Sequence, residues 1–512
     1  MERLRPIMFV GTASDVGKSV ITTGFCRIFK QDGYHPAPFK AQNMSLNSYA
    51  TPDGLEIGRA QAVQAEACGI DCHTDMNPLL LKPVNDKSSQ VVLHGKPAGN
   101  FSAAEYFHSD GREVLFSEVK KAYHRLADRY SPIVMEGAGS ISELNLKHRD
   151  VTNMRMAVEA GAATYLVADI DRGGVFASCY GTMALLEPEE KKYIKGIIIN
   201  KFRGDPQLFR EGKKQLEELC QVPVIGVVPF FRDIVIEEED SVALADRHHR
   251  SFRGKVNIAV VLVDRLSNYT DFSRLEQDPR VHLFYTREAG EIGKADIVIL
   301  PGSKNTIEDL VSLRAHGVTA AIQQAFADQK TVIGICGGYQ MMGERIEDPL
   351  HMESGIACTE GLGLLPVSTV LRAEKTTRQS TFRFRGLPEV CRGYEIHMGE
   401  TKAVSGEKAG RHEKVPPGEG AGSAPTGEPE SPLNTLTDGS TDGYFLHQKC
   451  WGTYLHGILD NAAVVNELLA PYTRQPGENF DHLQYKEEQY EKLAALLRQH
   501  LAIDEIYKTL QY

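Results

Sequence analysis

Within residues 331–340, a short apolar run is followed directly by a glycine-rich turn and then by the start of a predicted helix. The run 331–333 (Thr-Val-Ile) reads as a buried strand. The segment 334–340 (Gly-Ile-Cys-Gly-Gly-Tyr-Gln) must then turn sharply, which glycine permits without a Cβ clash. Cys336 therefore falls at the N-terminus of the next helix, where the helix dipole and free N–H groups favour a thiolate. Such a junction is typical of parallel α/β sheets and presents one side chain at the carboxyl end of a strand.

A histidine that can serve this cysteine lies far downstream, in the segment 451–457 (Trp-Gly-Thr-Tyr-Leu-His-Gly). One cysteine and one distant histidine, here His456, are the usual layout of a thiol acyl-transfer site. The alternative is that Cys336 is a small core residue, as free cysteines often are. The glycines beside it and the strand-to-turn context favour the nucleophile.

A second glycine-rich junction lies near the N-terminus. The apolar run 7–10 (Ile-Met-Phe-Val) predicts a strand, and the segment 11–19 (Gly-Thr-Ala-Ser-Asp-Val-Gly-Lys-Ser) leads into a helical pattern of apolar residues. Loops of this kind bind phosphates through backbone N–H groups, with a lysine on the outer phosphates and a hydroxyl on Mg²⁺. Lys18 and Ser19 occupy those positions, so the segment predicts a nucleotide site, with a chance glycine-rich turn as the alternative.

The remaining sequence divides into segments of different character. Residues 1–235 alternate β-branched apolar runs with helical patterns, which predicts parallel α/β units. A charged linker over 236–254 precedes a second domain of the same class over 255–460. Within it, residues 403–442 are rich in Gly, Pro, Ser, Thr and Glu, so we predict a disordered insertion there. Residues 461–512 predict a helical C-terminal extension that packs against the domain, with coiled-coil assembly as the alternative.

Composition excludes several functional classes. The 512 residues are too many for one ordinary domain, and a net charge of −11 gives a nucleic-acid role no electrostatic support. No apolar run reaches the roughly 20 residues of a membrane span, and the first strand begins too early to leave room for a signal peptide. Nine cysteines without framework spacing suit a reducing cytoplasm. Cys68, Cys72 and His73 have no second ligand pair at a fitting spacing, so no metal site is expected there.

Four segments in a fixed order carry a resemblance to a known family. They are 301–306 (Pro-Gly-Ser-Lys-Asn-Thr), 334–340, 393–399 (Gly-Tyr-Glu-Ile-His-Met-Gly) and 454–457 (Tyr-Leu-His-Gly). Together they make the region 255–460 resemble a class I glutamine amidotransferase domain of the cobyric acid synthase type. The resemblance implies a flavodoxin-like fold and a glutamine-hydrolysing site.

This resemblance implies roles for individual residues. Cys336 attacks the carboxamide of glutamine, and His456 takes up the thiol proton and passes it to the leaving ammonia. Backbone N–H groups near Gly302 and Gly337 hold the oxyanion. The common class I pattern has a glutamate two residues after the histidine, whereas this chain has Ile458. The site is therefore either a dyad or has an orienting carboxylate from elsewhere.

The N-terminal loop is similar to that of dethiobiotin synthetase and its relatives, which also place five residues between the two glycines. Further matching segments are 39–45, 134–140, 167–174 and 197–201. The nucleotide-binding residues that this resemblance implies are Thr12, Asp15, Gly17, Lys18, Ser19, Lys40 and Asn200. The Mg²⁺ ligands that it implies are Ser19, Glu136 and Asp171. For the two acidic residues, a simple cap on the following helix is the alternative.

Because both resemblances together cover nearly the whole chain, it is identified as a member of the glutamine-dependent cobyric acid synthase family. The fold expected is α/β, with two doubly wound parallel-sheet domains: a P-loop NTPase-like domain, then a class I glutamine amidotransferase-like one. The activity implied belongs to cobalamin biosynthesis. It is ATP-dependent amidation of carboxylates b, d, e and g of adenosylcobyrinic acid a,c-diamide, using ammonia from L-glutamine, with ATP and Mg²⁺ as cofactors.

Two other functions stay open at this point. One is cobyrinic acid a,c-diamide synthase, which has the same two parts and a different choice of carboxylate. The other is a nucleotide-switch ATPase that carries an inert glutaminase-like domain, although the intact Cys336 and His456 argue against it. The expected partners are the corrinoid, glutamine and ATP, with neither nucleic acid nor membrane among them, and the sequence leaves homo-oligomer formation open.

Overall fold

The structure is a computed structural model that describes residues 3–84, 88–102, 109–237, 250–252, 254–404, 432–474 and 481–512. Residues 405–431 of the predicted insertion and 238–249 of the predicted linker lie outside these ranges. The chain forms two compact units. Unit 1 comprises Met1–Asp240 together with Asp481–Tyr512, and unit 2 comprises Ser241–Phe480.

Unit 1 is built on a six-stranded, fully parallel sheet with the order β12-β11-β10-β1-β9-β2. A four-stranded sheet (β3-β6-β7-β8) and a hairpin (β4-β5) accompany it. The strands of unit 1 are β1 (Ile7–Gly11), β2 (Ala37–Phe39), β3 (Gln42–Met44), β4 (Ser48–Ala50), β5 (Glu56–Gly58), β6 (Leu79–Pro83), β7 (Ser88–Leu93), β8 (Lys96–Ser102), β9 (Ile133–Glu136), β10 (Ala163–Asp169), β11 (Ile194–Phe202) and β12 (Val224–Pro229).

Helices cover this sheet, and β1 lies near its centre, between β10 and β9. All five residues of β1 are buried, as expected for an apolar strand in a parallel sheet that is covered on both faces. The helices of unit 1 are α1 (Lys18–Gln31), α2 (Arg59–Cys68), α3 (Ser109–Arg129), α4 (Met154–Ala160), α5 (Val175–Leu185), α6 (Pro188–Lys191) and α7 (Arg210–Cys220). One-turn 3₁₀ helices span Thr74–Met76, Lys147–Arg149 and Pro206–Phe209.

Unit 2 contains a second parallel sheet with the order β15-β13-β16-β18-β26, to which β25 adds an antiparallel edge. Its strands, numbered through the whole unit, are β13 (Val256–Val261), β14 (Leu266–Ser267), β15 (Val281–Thr286), β16 (Ile297–Leu300), β17 (Gly302–Ser303), β18 (Thr331–Ile335), β19 (Arg345–Glu347), β20 (Cys358–Glu360), β21 (Val367–Phe384), β22 (Cys391–Ala403), β23 (Asn434–Leu436), β24 (Thr441–Asp442), β25 (Tyr444–His447) and β26 (Cys450–Thr453).

The helices of unit 2 are short. They are α8 (Ser273–Gln277), α9 (Ala289–Ile292), α10 (Thr306–Ala315), α11 (Val318–Ala327), α12 (Gly337–Met342) and α13 (Ala462–Leu469), with 3₁₀ turns at Tyr269–Phe272 and Ile458–Asp460. The prediction of two parallel-sheet α/β domains is confirmed. Among the described residues, no helix has an apolar stretch long enough to cross a bilayer.

The structure corrects the predicted insertion. Residues 433–442 are ordered into β23 and β24, and β23 pairs with the far end of the long strand β21. Leu433 and Asn434 are fully buried, and the Asp442 carboxylate accepts hydrogen bonds from Asn434 Nδ2 and Tyr454 N, both at 2.9 Å. The prediction of disorder is therefore wrong for this part, because strand pairing and buried hydrogen bonds outweigh its polar composition.

The predicted C-terminal extension also differs from the structure, because it divides between the two units. Helix α13 belongs to unit 2, whereas α14 (His482–His500) and α15 (Ile503–Leu510) belong to unit 1. Leu493 and Leu497 of α14 are fully buried, and a Cβ added to Gly24 of α1 would collide with Leu497. The C-terminal helices thus pack against α1 instead of standing free for coiled-coil assembly.

Candidate active sites

Cys336 sits at a sharp turn between β18 and α12. Its backbone has φ 52° and ψ −110°, a strained conformation for a residue with a side chain. The turn needs glycine on either side, because a Cβ on Gly338 would collide with the backbone of Leu300, and one on Gly334 would lie 2.6 Å from Tyr339 N. Cys336 N donates to Thr453 O over 2.8 Å, so the turn is fixed to β26. This is the elbow geometry that the sequence predicts.

His456 approaches this turn from the end of β26 and carries a buried carboxylate behind it. Its Nδ1–H donates to Asp271 Oδ2 over 2.7 Å, and Gly457 N donates to Asp271 Oδ1 over 2.8 Å. The imidazole also interacts with the Cys336 side chain, and this interaction contributes to raising the pKa of His456. His456 and Asp271 are almost completely buried. The structure therefore brings Cys336 and His456 together and adds a third member, Asp271.

The electrostatics of this group favour a charged imidazole. Burial alone lowers the pKa of His456, but the Asp271 carboxylate and the nearby Cys336 raise it more, and the balance sets the pKa at about 10. A protonated imidazole next to a sulfur stabilises the thiolate form of that sulfur. The charged imidazole of His456 therefore lies beside Cys336, the nucleophile that the sequence predicts.

Gly302 and Gly337, the predicted oxyanion residues, both lie close to this group. A Cβ on Gly302 would be 3.3 Å from His456 Cε1, and one on Gly337, the residue after Cys336, would be 2.8 Å from Ser303 N, so the position of Gly337 requires glycine. Gly337 begins α12, so its N–H belongs to the first turn, where a helix offers no acceptor. Ser303 Oγ donates to the buried Asp309 carboxylate over 2.5 Å, which holds the loop after Gly302 in place.

In unit 1, the predicted phosphate loop wraps around the side chain of Lys18. Lys18 Nζ donates to Ala13 O at 3.1 Å and to Gly139 O at 2.9 Å. Gly17 has φ +95°, and a Cβ there would collide with Asn200 Nδ2. Asn200 Nδ2 donates to Val16 O over 2.9 Å, so this amide holds the loop. The predicted role of Asn200 in nucleotide binding stays a prediction.

Glu136, at the carboxyl end of β9, collects three donors. They are Ser19 Oγ at 2.8 Å, Lys40 Nζ at 2.9 Å and Gln64 Nε2 at 2.6 Å. Burial opposes ionisation of this carboxyl group, but the Lys40 charge and the hydrogen bonds outweigh it and hold the pKa of Glu136 below its usual range. The structure therefore brings Ser19 and Lys40, two predicted site residues, into contact with Glu136, a third.

Three of the other predicted residues make different contacts. Asp171 is exposed, and its Oδ1 pairs with Arg203 Nε at 2.5 Å; this hydrogen bond lowers the pKa of Asp171. Asp171 thus forms an ion pair with Arg203, whereas Ser19 and Glu136 hydrogen-bond to each other. Thr12 N donates to Val167 O over 3.1 Å, which ties the loop to β10. Asp15 has φ 56°, and its carbonyl accepts a hydrogen bond from Lys201.

Two residues of these sites escape sequence reasoning. Asp271 lies in a 3₁₀ turn 185 positions before His456, and no spacing rule links the two. Gln64 has no distinguishing signal in the sequence, and only the packing of α2 brings its side chain against Glu136. Among the described residues, no cluster of three or more His, Cys, Asp or Glu side chains is arranged to hold a metal ion.

Comparison with known proteins identifies the family of each of the two regions that carry these sites. Residues 7–242 match the CobQ/CobB/MinD/ParA nucleotide binding domain, and residues 257–464 match the CobB/CobQ-like glutamine amidotransferase domain. The chain is 59% identical to a cobyric acid synthase of Parabacteroides distasonis, covering 100% of this chain and 99% of the relative. It is 45% identical to one of Syntrophobacter fumaroxidans, covering 98% of each chain. The chain therefore belongs to the cobyric acid synthase family.

Proposed function

We propose that this protein amidates carboxylates b, d, e and g of adenosylcobyrinic acid a,c-diamide, using ATP and the ammonia released from glutamine. The observation that carries the proposal is the pairing, in one chain, of the buried Cys336–His456–Asp271 group with the phosphate loop around Lys18. Similarity to cobyric acid synthases over the full length supports the choice of substrate. The product contributes to cobalamin biosynthesis.

Glutamine hydrolysis begins when the Cys336 thiolate attacks the side-chain carboxamide carbon. The oxygen that becomes negative is stabilised by backbone N–H groups at Gly302 and Gly337. The imidazolium of His456 donates its proton to the nitrogen of this tetrahedral intermediate. The C–N bond then breaks, ammonia departs, and a thioester on Cys336 remains. His456, now neutral, activates water to release glutamate, while Asp271 keeps the imidazole oriented.

In unit 1, ATP converts a corrinoid carboxylate into an electrophile. A carboxylate is a poor electrophile at neutral pH, whereas an acyl phosphate has a good leaving group. Lys18 and Lys40 would neutralise charge on the phosphates during transfer, which is the main form of catalysis in phosphoryl transfer. Ammonia then attacks the acyl carbon, phosphate leaves, and a carboxamide remains.

Mg²⁺ fits this site. Ser19 and Glu136 provide a hydroxyl and a carboxylate oxygen only 2.8 Å apart, and Mg²⁺ at nucleotide sites takes one or two protein ligands, with phosphates and waters completing the shell. We therefore propose Ser19 and Glu136 as its ligands. Asp171 joins them only if it leaves Arg203. Bound there, the ion would offset negative charge on the phosphate oxygens.

A mass spectrum of the corrinoid tests the proposal. The enzyme is incubated with ATP, Mg²⁺, glutamine and cobyrinic acid a,c-diamide in its adenosyl form, and each amidation replaces one OH by NH₂. We expect a product in which the four carboxylates b, d, e and g are all amidated. In a parallel incubation with cobyrinic acid itself, amidation at a and c alone would instead identify the diamide synthase. ATP hydrolysis without any amidation of either corrinoid would favour the nucleotide switch.

The Cys336→Ala variant adds a second test. It should lose amidation driven by glutamine and retain amidation driven by high ammonium salt, because added ammonia bypasses only glutamine hydrolysis. Survival of both activities would remove Cys336 from the mechanism. All nine cysteines are free thiols, which agrees with our proposal that the reaction takes place in the reducing cytoplasm.

A further inference from the structure

The segment 393–399 of β22 takes no part in the proposed steps of glutamine hydrolysis. It nevertheless crosses directly over the Cys336–His456 pair. Tyr394 and His456 form a two-way backbone bridge: His456 N donates to Tyr394 O over 2.8 Å, and Tyr394 N donates to His456 O over 3.0 Å. A Cβ on Gly393 would lie 2.7 Å from His456 O. Only glycine at that position lets the strand come this close.

The bridge places the ring of Tyr394 against the imidazole of His456. Their centroids are 5.3 Å apart with 26° between the planes, and Tyr394 is almost completely buried. A flat ring stacked on the imidazole restricts its rotation, and its π face is favourable next to a cation. Rotation of the His456 imidazole is thus restricted by two residues: Asp271 binds its Nδ1, and Tyr394 lies along one face of the ring.

The rest of the strand is anchored so that it can serve as a rigid support. Cys336 Sγ lies 3.8 Å from Ile396 O, so the same strand also lies against the nucleophile. Next to it, the His397 ring stacks on Tyr454 at 3.8 Å, and His397 Nε2 lies 3.2 Å from the buried Glu395 carboxylate. Tyr454 is itself two residues before His456, so both stacks act on the end of β26.

We propose that Tyr394 is a positioning residue of the glutaminase, which holds the imidazole of His456 in line between Asp271 and Cys336. The inference rests on the proposed function of that site. Tyr394 acts through His456, so its contribution should be to proton transfer and not to the binding of glutamine. Misplacing a catalytic group by about 1 Å can lower a rate by up to about 100-fold.

Three variants separate this role from simple packing. Tyr394→Phe retains the ring, and Tyr394→Leu retains most of the apolar volume without a π face. Tyr472→Leu is the control, because Tyr472 is another partly buried tyrosine of unit 2. Its hydroxyl hydrogen-bonds Thr331, at the end of β18 opposite to Cys336. Glutamate release at saturating and limiting glutamine gives kcat and KM. The rate at which iodoacetamide alkylates Cys336 reports how well His456 supports the thiolate.

We expect Tyr394→Phe and Tyr472→Leu to retain kcat within about twofold, and Tyr394→Leu to lose about tenfold in kcat at a KM changed by less than about twofold. Alkylation of Cys336 should slow in Tyr394→Leu alone. If that variant does not fold, Tyr394→Met replaces it. A folded Leu or Met variant with kcat near the parent, or one that raises KM only, would overturn the inference. A parent enzyme that releases no glutamate would instead overturn the proposed function.

Discussion

At the scale of single residues, Asp271 shows that the carboxylate that orients a catalytic histidine can come from a part of the chain far from that histidine. The imidazole of a cysteine–histidine site needs a carboxylate that fixes its tautomer and stabilises its charged form. Here Ile458 occupies the position where the common pattern has glutamate, and the carboxylate comes from the 3₁₀ turn after β14. The open choice between a dyad and a distant carboxylate is therefore resolved in favour of the carboxylate.

The first prediction concerns this carboxylate. Asp271→Asn should lower kcat for glutamate release by at least about 100-fold, because an amide neither stabilises the imidazolium nor enforces the productive tautomer. Asp264→Asn is the matched control, since Asp264 is a half-exposed carboxylate of the same unit that pairs with Arg287. Equal rates for the two variants would contradict the assignment of Asp271.

The pH dependence of the same variant gives an independent prediction. His456 must be protonated to supply the leaving nitrogen, and Asp271 is the largest of the influences that raise its pKa to about 10. Without the Asp271 charge the pKa of His456 falls. When the pH is raised, His456 therefore loses its proton at a lower pH in this variant than in the parent. The alkaline limb of kcat should therefore move to lower pH in Asp271→Asn, which a rate profile measured from neutral to alkaline pH will detect.

A third residue-scale prediction separates the two sites. Lys18→Ala should abolish amidation with either glutamine or ammonium salt, because no acyl phosphate forms without the charge that cradles the phosphates. The loss expected is several kcal/mol in the barrier. Glutamate release in the absence of ATP and corrinoid is the control, since Cys336 and His456 lie in the other unit. Near-normal turnover with ammonium salt would remove the loop from the mechanism.

Residues with a local signature were predictable, and residues with a partner far along the chain were not. Cys336 and Lys18 are marked by the glycines and strands beside them, and the structure places both at such junctions. Asp271 and Gln64 gain their positions only when separate strands or helices meet, so no window of sequence contains the information. Asp171 has the right residue type just after a strand end, yet in the structure its carboxylate pairs with Arg203.

At the scale of elements, the strands of the two parallel sheets were predictable because they are continuous apolar runs buried on both faces. Strands β21 and β22 were not, since their alternating polar residues and partial exposure depend on pairing with each other. The same reason explains β23. Its Asn-Thr-Leu sequence has no strong strand preference, and it forms because Phe382 to Phe384 of β21 offers an edge.

The register of β21 determines how far residues 404–433 must reach. Ala403 pairs with Val367 at one end of β21, and Asn434 pairs with Phe384 at the other. Those 17 residue steps correspond to about 56 Å in a regular strand, at about 3.3 Å per residue. A replacement of 405–431 by six Gly/Ser residues cannot span that distance, because an extended chain covers at most about 3.6 Å per residue.

The element-scale prediction follows from this distance. A six-residue linker in place of 405–431 should detach β23, remove the support that Asp442 gives to Tyr454, and lower glutamate release by more than about tenfold. A 24-residue Gly/Ser linker should retain the rate within about twofold, since loop-closure entropy changes slowly with length. If the short linker is as active as the long one, the pairing of β23 with β21 is not needed for the site.

At the scale of the whole molecule, the chain returns to unit 1 after completing unit 2. Asp481–Tyr512 contributes buried apolar residues of α14 and α15 to the core beneath α1. A partly buried ion cluster adds to this: Arg59 Nε donates to Glu237 Oε2 over 2.6 Å, and Lys486 of α14 pairs with Glu66 and Glu237. Burial opposes the charge on Glu237, but Arg59 and Lys486 outweigh it and hold its pKa at about 2.

The last prediction is that this returning helix stabilises the nucleotide-binding unit. Leu497→Ala should lower the free energy of unfolding of unit 1 by about 3 kcal/mol, because it leaves a cavity against Gly24 of α1, the helix that begins at Lys18. Leu483→Ala, on the same helix but 60% exposed, is the matched control and should cost less than about 0.5 kcal/mol. Denaturant unfolding followed by a probe in unit 1, such as nucleotide binding, measures both. Equal stability of the two variants would mean that α14 contributes little to the unit in which it is buried.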